Sequence, residues 1–533
     1  MSEFDVLIVG AGPTGLSAAI CLTQLGMRCL VIDKKSEPTK TSNALAVQSR
    51  TLEIWEKLGI LDEALLQGHH ITGINIYSNK KQLGYISLQG LKAAYPYLLT
   101  LPQAQTEKIL FDKYAALGGV IEREAEFTNL SQHSQGVDAV YLKNGVEIKL
   151  QIKWLLGCDG THSRVREVLN IPFLGKDLSQ HFAMADLTID GPFTPDRMHG
   201  FWSPQGVMAI FPMKNYCRLI AEISHDPELS QIKGAPSFEI FNQLMKTRSH
   251  FKVTLGEPLW TSSFWIHEHV VSQYTKGRVF LLGDAAHEHS PVGGQGMNTG
   301  IQDAYNLCWK LALVEKGQMD QKLLGSYEKE RLPVAKALVN AATKATNIVT
   351  TRSPFFKILR LLALKCITHF SSLQNKIAGA VSELNINYAN DGFVEERGKW
   401  QSGVLPGWRI PFNVIQDKGQ TISLQKLVVN HKYTVIIFLG KESISKKDVE
   451  RFLQMINNKY AHLIDILVIT EREQSSATNT KVINDLNGIM HQQFSAHQPC
   501  YYLVRPDQYI GFRAKGLNEE ALEAYLRKIG LKA

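Results

Sequence analysis

The chain is poor in features that would place it in several large protein classes. Its seven cysteines, Cys21, Cys29, Cys158, Cys217, Cys308, Cys366 and Cys500, are widely spaced and contain no C-x-x-C pair. That excludes a dithiol redox motif and a paired-cysteine zinc site, and it points to a reducing compartment. No metal site is expected. The net charge is only +8 and no long Lys/Arg block occurs, so nucleic acid is not an expected partner. There is no internal repeat and no low-complexity tract. No secretory leader precedes the first strand pattern, which begins at Phe4, so the chain is read as cytoplasmic. The most apolar late stretch, residues 355–367, is interrupted by Lys357, Arg360 and Lys365. It is too short and too charged to span a bilayer. It reads as a buried or edge-packed amphipathic helix, with membrane contact or a dimer face as alternatives. Integral membrane association is not expected.

What is present is a soluble globular composition, 44% apolar and 20% charged over 533 residues. At about 150 residues per domain this length allows three or four domains. The stretch Asp5 to Val9, whose apolar run lacks alternation, reads as a buried parallel strand. Gly10-Ala11-Gly12-Pro13-Thr14-Gly15 follows at once. Gly10 permits a tight turn, Gly12 lets backbone approach a pyrophosphate, and Gly15 lets the next helix pack on the sheet. The amides of that helix N-terminus then face phosphates. Arg28 to Ile32 forms a second strand ending at Asp33, placed to hold a ribose diol, with Lys34 near the adenosine phosphate. The plain alternative is an ordinary strand–turn–helix with Asp33 solvated.

Two further segments fit the same nucleotide. Gly157-Cys158-Asp159-Gly160 ends another strand pattern. Gly283-Asp284-Ala285-Ala286-His287 follows the apolar strand Gly277 to Leu282, and Pro291-Val292-Gly293-Gly294-Gln295-Gly296-Met297-Asn298 comes next. After Gly296 a long helix runs through Ala304, Leu307, Trp309 and Leu313. Its glycine-rich start is a second positive helix end, suited to negative charge on a reduced flavin ring.

Between these segments the patterns are coarse. A helix is expected near Ser49–Leu58 and another from Gln103 to about Leu117. Strands are expected near Gly119–Leu130, Val137–Leu142 and Glu147–Leu156. Residues 71–100 alternate like strands covering something. Residues 172–275 are β-rich and aromatic, with Phe182, Phe211, Phe264 and Trp265 among others. That composition suits a sheet lying over a flat substrate, and equally any sheet core.

Taken together, these motifs resemble the FAD-dependent aromatic hydroxylases of the para-hydroxybenzoate hydroxylase type, the class A flavoprotein monooxygenases. The likeness spans residues 1 to about 390. It is carried by the three segments, by Ala44-Leu45-Ala46-Val47-Gln48-Ser49-Arg50, by Gln103 and Glu107, by Cys158 to Arg166, and by Ser326 to Arg331. The resemblance implies that Gly10, Gly12, Pro13, Thr14, Gly15, Asp33 and Lys34 hold the AMP half of FAD. Gln103, Gly283 and Asp284 would meet the pyrophosphate and ribityl region. Gly296, Met297 and Asn298 would contact the flavin ring, with Pro291 and Gly293 beside its oxygen-reacting carbon. Asp159 resembles a residue linked to the ribityl chain and to NADPH, though a strand-end carboxylate capping the helix near Ser163 is the structural alternative. His287 is read as a packed residue beside the flavin.

Two positions depart from the family pattern. Asn43 stands where a basic residue usually reaches the FAD phosphates; an amide can hydrogen-bond phosphate but not neutralise it, so FAD would be held more weakly or the contact would lean on Arg50. His269 stands where an Arg is common, which puts in doubt an ion pair or NADPH contact made there. The last ~130 residues follow a β-α-β…β-β-α order after the linker Gly403 to Pro411, and resemble the thioredoxin-like domain of the long hydroxylases of phenols and polyketides. A packing or dimer-stabilising role is expected for it.

The expected fold is therefore α/β. A Rossmann-like, glutathione-reductase-type FAD domain (1–175 and 276–400) interleaves with a β-sheet substrate domain (176–275, joined by the 71–100 strands), and a thioredoxin-like domain without C-x-x-C follows (401–533). The expected function is hydroxylation of a phenolic or polycyclic aromatic substrate through a flavin C4a-hydroperoxide, with FAD, NADPH or NADH, and O2. No side-chain nucleophile is needed; Tyr216, His225 and His267 lie in the β-rich region but are not assigned as the substrate base. Alternatives are flavin epoxidation, Baeyer–Villiger insertion or drug inactivation on a polycyclic compound, and a non-enzymatic flavin- or ligand-binding protein. A halogenase is disfavoured by the absence of a Trp-x-Trp-x-Ile-Pro stretch. A homodimer is compatible with the chain.

Overall fold

The computed structural model describes residues 3–39, 44–78, 81–226, 228–232, 234–290, 293–350, 364, 366–389, 392–417, 420–440, 444–471 and 481–532. They divide into two compact units, one of residues 1–304 and 332–384, the other of residues 305–331 and 385–533.

The first unit is built on two sheets. The apolar strand Val6–Val9 is buried along its whole length. It pairs in parallel with Cys29–Asp33 on one side and Trp154–Gly157 on the other. Val120–Arg123 and Val279–Leu281 extend this parallel core, and Thr275–Lys276 closes one edge antiparallel. Pro13–Gln24 is the helix after the first strand, with Gly12 as its N-cap and Pro13 at its first position, where the missing N–H costs nothing. The strand expected over Glu147–Leu156 is two strands. Val146–Ile152 closes an antiparallel three-stranded meander, whereas Trp154–Gly157 enters the parallel sheet. The expected Gly119–Leu130 strand divides in the same way, at Glu124, whose φ is +54°.

The second sheet has eight strands and two distinct faces. Its order is His287–Glu288, Trp260–Val271, Phe173–Leu187, Cys217–Glu222, Gly206–Pro212, Arg197–Ser203, Gly73–Ser78 and Lys81–Ser87. Successive side chains along a strand point to opposite faces. Ala183, Phe201, Ile210, Leu219 and Tyr77 go to a core shared with Phe241, Leu244 and Met245 of the helix Phe238–Arg248. Their neighbours Met184, Phe211 and Ile220 turn to the other face and line a cavity together with Ile74. The helix Phe238–Arg248 lies inside the stretch read from sequence as β-rich.

The second unit centres on a mixed six-stranded sheet. Its order is Glu395–Arg397, Ile510–Lys515, Cys500–Val504, Tyr433–Phe438, Ile464–Thr470 and Lys481–Asn484. Tyr433–Phe438 is buried throughout, and Ile436, Phe438, Ile469 and Tyr502 fill one core. Asn518 caps the terminal helix Glu519–Ile529 by accepting from the Ala521 amide at 2.9 Å. The compact units do not follow the domain boundaries expected from sequence, because residues 305–331 and 385–400 belong to this one. A buried charge network accounts for the first of these segments. Arg505 Nη2 donates to Glu330 Oε2 at 2.9 Å and to Asp507 Oδ2 at 2.6 Å. Lys310 Nζ donates to the same Glu330 oxygen at 2.7 Å. No periodicity in the sequence reports such pairing.

Among the described residues no helix is long and apolar enough to cross a membrane. Residues 355–363 and Lys365, the bulk of the late apolar stretch, lie outside the described residues.

Removing Arg505 would leave Glu330 and Asp507 buried without their shared cation. Arg505→Ala is expected to destabilise the second unit by about 3–5 kcal/mol, the usual effect of breaking a buried pair from one side. An unchanged urea midpoint would contradict this reading.

Candidate active site

Three backbone segments from distant parts of the chain meet without room for side chains. Gly10 has φ +108°, and a β-carbon there would lie 2.3 Å from the Cys158 carbonyl oxygen. Cys158 in turn donates its amide to the Val9 carbonyl at 2.8 Å. A β-carbon on Gly15 would lie 2.0 Å from the Gly10 carbonyl oxygen. Thr14 joins the third segment: its Oγ1 would lie 2.6 Å from a β-carbon on Gly283 and 2.3 Å from one on Gly300. These glycines are required by close approach of chain to chain.

Around that junction runs a cavity of about 870 Å³, within the range of small-molecule and cofactor sites. Its glycine end is lined by Gly10, Gly12, Pro13, Thr14, Asp33 and Lys34, then by Gln103, Asp159 and Asp284. Gly293, Gly296 and Met297 line its middle. Its apolar wall is the open face of the eight-stranded sheet. Twelve of the residues singled out from sequence therefore share one cavity.

Four do not line it, and each has a structural task. Gly15 packs helix on turn, and Gly283, at φ +59°, packs against Thr14. Arg50 is 1% exposed and pairs with Glu53 at 2.9 Å; its charge is neutralised inside the protein, so it does not replace a basic residue at position 43. Asn298 is buried. Its Oδ1 accepts from the Gln48 amide at 2.8 Å, and its Nδ2 donates to the Ala46 and Gly294 carbonyls, both at 2.8 Å. It therefore clamps the glycine turn to residues 46–48. Asn43 and Pro291 lie outside the described residues.

Other residues in the site were given no role from sequence. Gln48 lines the cavity and donates to the Gly293 carbonyl at 2.8 Å. Lys35 and Arg164 join Lys34 as lining cations. Asp303 is fully buried. One of its oxygens accepts from the Gly283 amide at 3.1 Å and meets His287 Nε2 at 2.9 Å. It sits seven residues after Gly296, two helical turns on, and only that spacing signalled it. His287 is thus a packed residue bordering the cavity.

Asp159 carries out the capping alternative while facing the cavity. Its Oδ1 accepts from Ser163 Oγ at 2.6 Å and its Oδ2 from the Val165 amide at 3.1 Å. Ser163 Oγ then accepts from the Arg166 amide at 3.0 Å, as the N-cap of Arg164–Val168. Burial raises the Asp159 carboxyl above its usual range, against the pull of these donors. Asp284 is open to the cavity it lines; the protein around that cavity raises its carboxyl pKa by desolvation, and His287 lowers it partly back. His289 donates from Nδ1 to the Ser290 carbonyl at 2.8 Å. Burial and His287 hold it down to about 4, so it is uncharged at neutral pH. At position 269 the imidazole stacks on Phe173 at 5.0 Å and lies 3.8 Å from Glu288.

The chain's family is decided by residues 3–342, which match the model of the FAD binding domain. The chain belongs to this FAD-binding family. It is 30% identical to 6-methylpretetramide 4-monooxygenase of Streptomyces rimosus, over 99% of this chain and 94% of that protein. It is 29% identical to pentachlorophenol 4-monooxygenase of Sphingobium chlorophenolicum, over 96% and 94% of the two chains. The solved structure of OxyS anhydrotetracycline hydroxylase from Streptomyces rimosus aligns with a TM-score of 0.74 at 26% identity, covering 98% of both chains. CabE, an aromatic hydroxylase from angucycline biosynthesis, aligns with a TM-score of 0.75 at 25% identity over the whole of both. This is a flavin-dependent monooxygenase.

The cavity fits FAD. The N-terminus of Pro13–Gln24 has no side-chain cap, which leaves its first amides to bind a diphosphate. At Gly12 a β-carbon would meet nothing within 4 Å, so the missing side chain leaves open space. The uncapped helix end and the lining cations Lys34, Lys35 and Arg164 are the positive groups available to the diphosphate.

Gly12 and Gly15 should therefore fail differently. Gly15→Ala is expected to destabilise the fold by at least roughly 1–3 kcal/mol through overpacking. Gly12→Ala should fold normally and weaken FAD binding by about tenfold or more, ~1.4 kcal/mol. Equal loss of stability in both variants would contradict the assignment. A second test uses the raised Asp284 carboxyl. The stability this group contributes to the FAD-free protein is full below the ordinary Asp value of 3.8 and is lost as pH rises through the raised value. FAD-free Asp284→Asn should therefore melt above wild type at pH 8, with the gap closing toward pH 4. A pH-independent gap would rule this out.

Proposed function

We propose that the protein uses NADPH or NADH and O2 to hydroxylate a phenolic or polycyclic aromatic substrate. One observation carries the reading: the glycine-lined, cation-bearing end of the cavity continues without a break into the apolar face of the eight-stranded sheet. A nucleotide cofactor and a flat apolar substrate then share one enclosure. The names of the relatives agree, since one is a monooxygenase of a pretetramide and another of a chlorinated phenol.

FAD held there supplies electron transfer to O2 and an oxygen atom to the substrate ring. The residues of the chain bind, orient and exclude water. Gly10, Gly12 and the first amides of the Pro13 helix take the diphosphate. Asp33 takes a ribose; its Oδ2 already accepts from the Ala11 amide at 2.8 Å, and a carboxylate oxygen accepts more than one donor. Lys34 and Lys35 neutralise the phosphates in place of the residue at 43. Gln103, Asp159 and Asp284 face the ribityl chain. Gly293, Gly296 and Met297 present backbone to the flavin edge, where the start of the Gly296–Glu315 helix stabilises negative charge. Pro291 is assigned a place beside them from the motif alone. Met184, Met198, Phe211, Ile220 and Phe264 form the apolar wall for the substrate. Neutral His289 adds no charge there. The C-terminal sheet, which carries no C-x-x-C, serves packing or dimer contacts.

The purified protein should be yellow. Its NADPH or NADH oxidation should accelerate at least about tenfold with a matching phenol, as substrate-gated turnover requires. Under 18O2 the product should gain one labelled oxygen atom. Failure to bind FAD, or a product whose oxygen comes from water, would refute the reading.

A further inference from the structure

The helix Ser371–Val381 ends in a way that its sequence does not favour. The Leu384 amide donates to the Gly379 carbonyl at 3.2 Å, and the Glu383 amide donates to the Ala380 carbonyl at 3.3 Å. This closure puts one residue just past the helix in the left-handed region, where glycine is the usual choice. Here that residue is Glu383, with φ +61°. Its β-carbon carries a steric cost that glycine would avoid, so the side chain has a task of its own.

Glu383 is 2% exposed, and its carboxylate meets the start of the Gly296–Glu315 helix. Thr299 Oγ1 donates to its Oε1 at 2.9 Å, and Gln302 Nε2 donates to its Oε2. These partners stand three and six residues after Gly296, in the first two turns of that helix. Both oxygens accept, the pattern of an ionised carboxyl. Holding the chain in place does not fall to this residue, because other bonds do so. Gln295 Nε2 donates to the Ala380 and Val381 carbonyls at 3.2 and 3.3 Å, and the Arg50 amide donates to the Ser382 carbonyl at 3.3 Å. Hydrogen bonding alone does not call for glutamate either. A glutamine could accept from Gln302 and donate to Thr299 Oγ1. What glutamate adds is a negative charge.

An anion is favourable at a helix N-terminus, where it meets the positive end of the aligned peptide dipoles. Gly296 and Met297, at the same helix start, line the cavity. In the hydroxylase reading that end faces the flavin. One positive end then serves two anions, a resident carboxylate and a ring that becomes negative on reduction. Like charges near each other disfavour the ionised forms. We propose that Glu383 holds down the reduction potential of the bound flavin by offsetting the positive start of the Gly296–Glu315 helix. This deepens the hydroxylase reading and rests on one part of it, the flavin edge at the helix start. A lower potential makes the reduced ring a stronger electron donor.

The test uses the FAD-loaded protein and two pairs matched in shape: wild type against Glu383→Gln, and Glu383→Asp against Glu383→Asn. Within each pair only the charge differs. The second pair keeps the test open where glutamine is not tolerated, since Asn and Asp accept left-handed backbone more readily than other side-chain-bearing residues. The midpoint potential of FAD is read by equilibration with a reference dye. In each pair the uncharged member is expected to favour reduced FAD about tenfold over its charged partner, a rise of about 30 mV for a two-electron couple. A purely structural role would lower the urea midpoint and leave the potentials equal within each pair, and that result would overturn the proposal. So would a lower potential in the uncharged members. The measurement needs no aromatic substrate. Protein that binds FAD and hydroxylates nothing would defeat the proposed reaction and leave the role of Glu383 to be decided by the potentials, whereas wild type that binds no FAD would defeat both.

Discussion

The hydroxyl of Thr14 lies where neither Gly283 nor Gly300 has room for a β-carbon. Together with the contact of Gly10 on the Cys158 carbonyl, this close approach is the constraint on which the site depends. Close-packed backbone has little freedom to shift. It brings the turn after the first strand, the end of the Trp154–Gly157 strand and the start of the Gly296–Glu315 helix to fixed positions around one cavity. Hydrogen bonds then hold the lining in place without entering it. Asn298 and Gln48 tie the glycine turn to residues 46–48, and Asp303 ties Gly283 to His287. Polar groups that are satisfied within the protein make a rigid frame, and a rigid frame orients a cofactor without reorganisation.

The eight-stranded sheet supplies the other half. Its two faces follow from the alternation of each strand. One face closes a core with the Phe238–Arg248 helix, while the other, with Met184, Phe211, Ile220 and Phe264, is left for a ligand. The apolar wall is contiguous with the glycine-lined end, so substrate and cofactor need no separate chambers.

The parts of this arrangement that were legible in the sequence are those with a local physical cause. Buried parallel strands read as unbroken apolar runs, and glycines marked the turns because only glycine tolerates such contact or a φ of +108° at position 10. The helix Ser49–Leu58 emerged with the expected bounds. Local patterns do not report which distant group a polar side chain will find. Arg50 looked available to a phosphate, yet Glu53 three residues on neutralises it. Asn298 looked like a ring contact, yet its amide is used up by backbone some 250 residues earlier in the chain. Asp303 and the Lys310–Glu330–Arg505 network are long-range pairings of the same kind. The strand divisions near Glu124 and Lys153 also escaped, because alternation within a run does not say which sheet each half will join.

Hydrogen exchange of the protein with and without FAD tests the central claim most directly, since it reads all the segments at once. If three distant stretches close on one cofactor, FAD should slow exchange together at residues 10–16, 157–165 and 293–300. Protection confined to residues 10–16, with the other two stretches unchanged, would contradict the account.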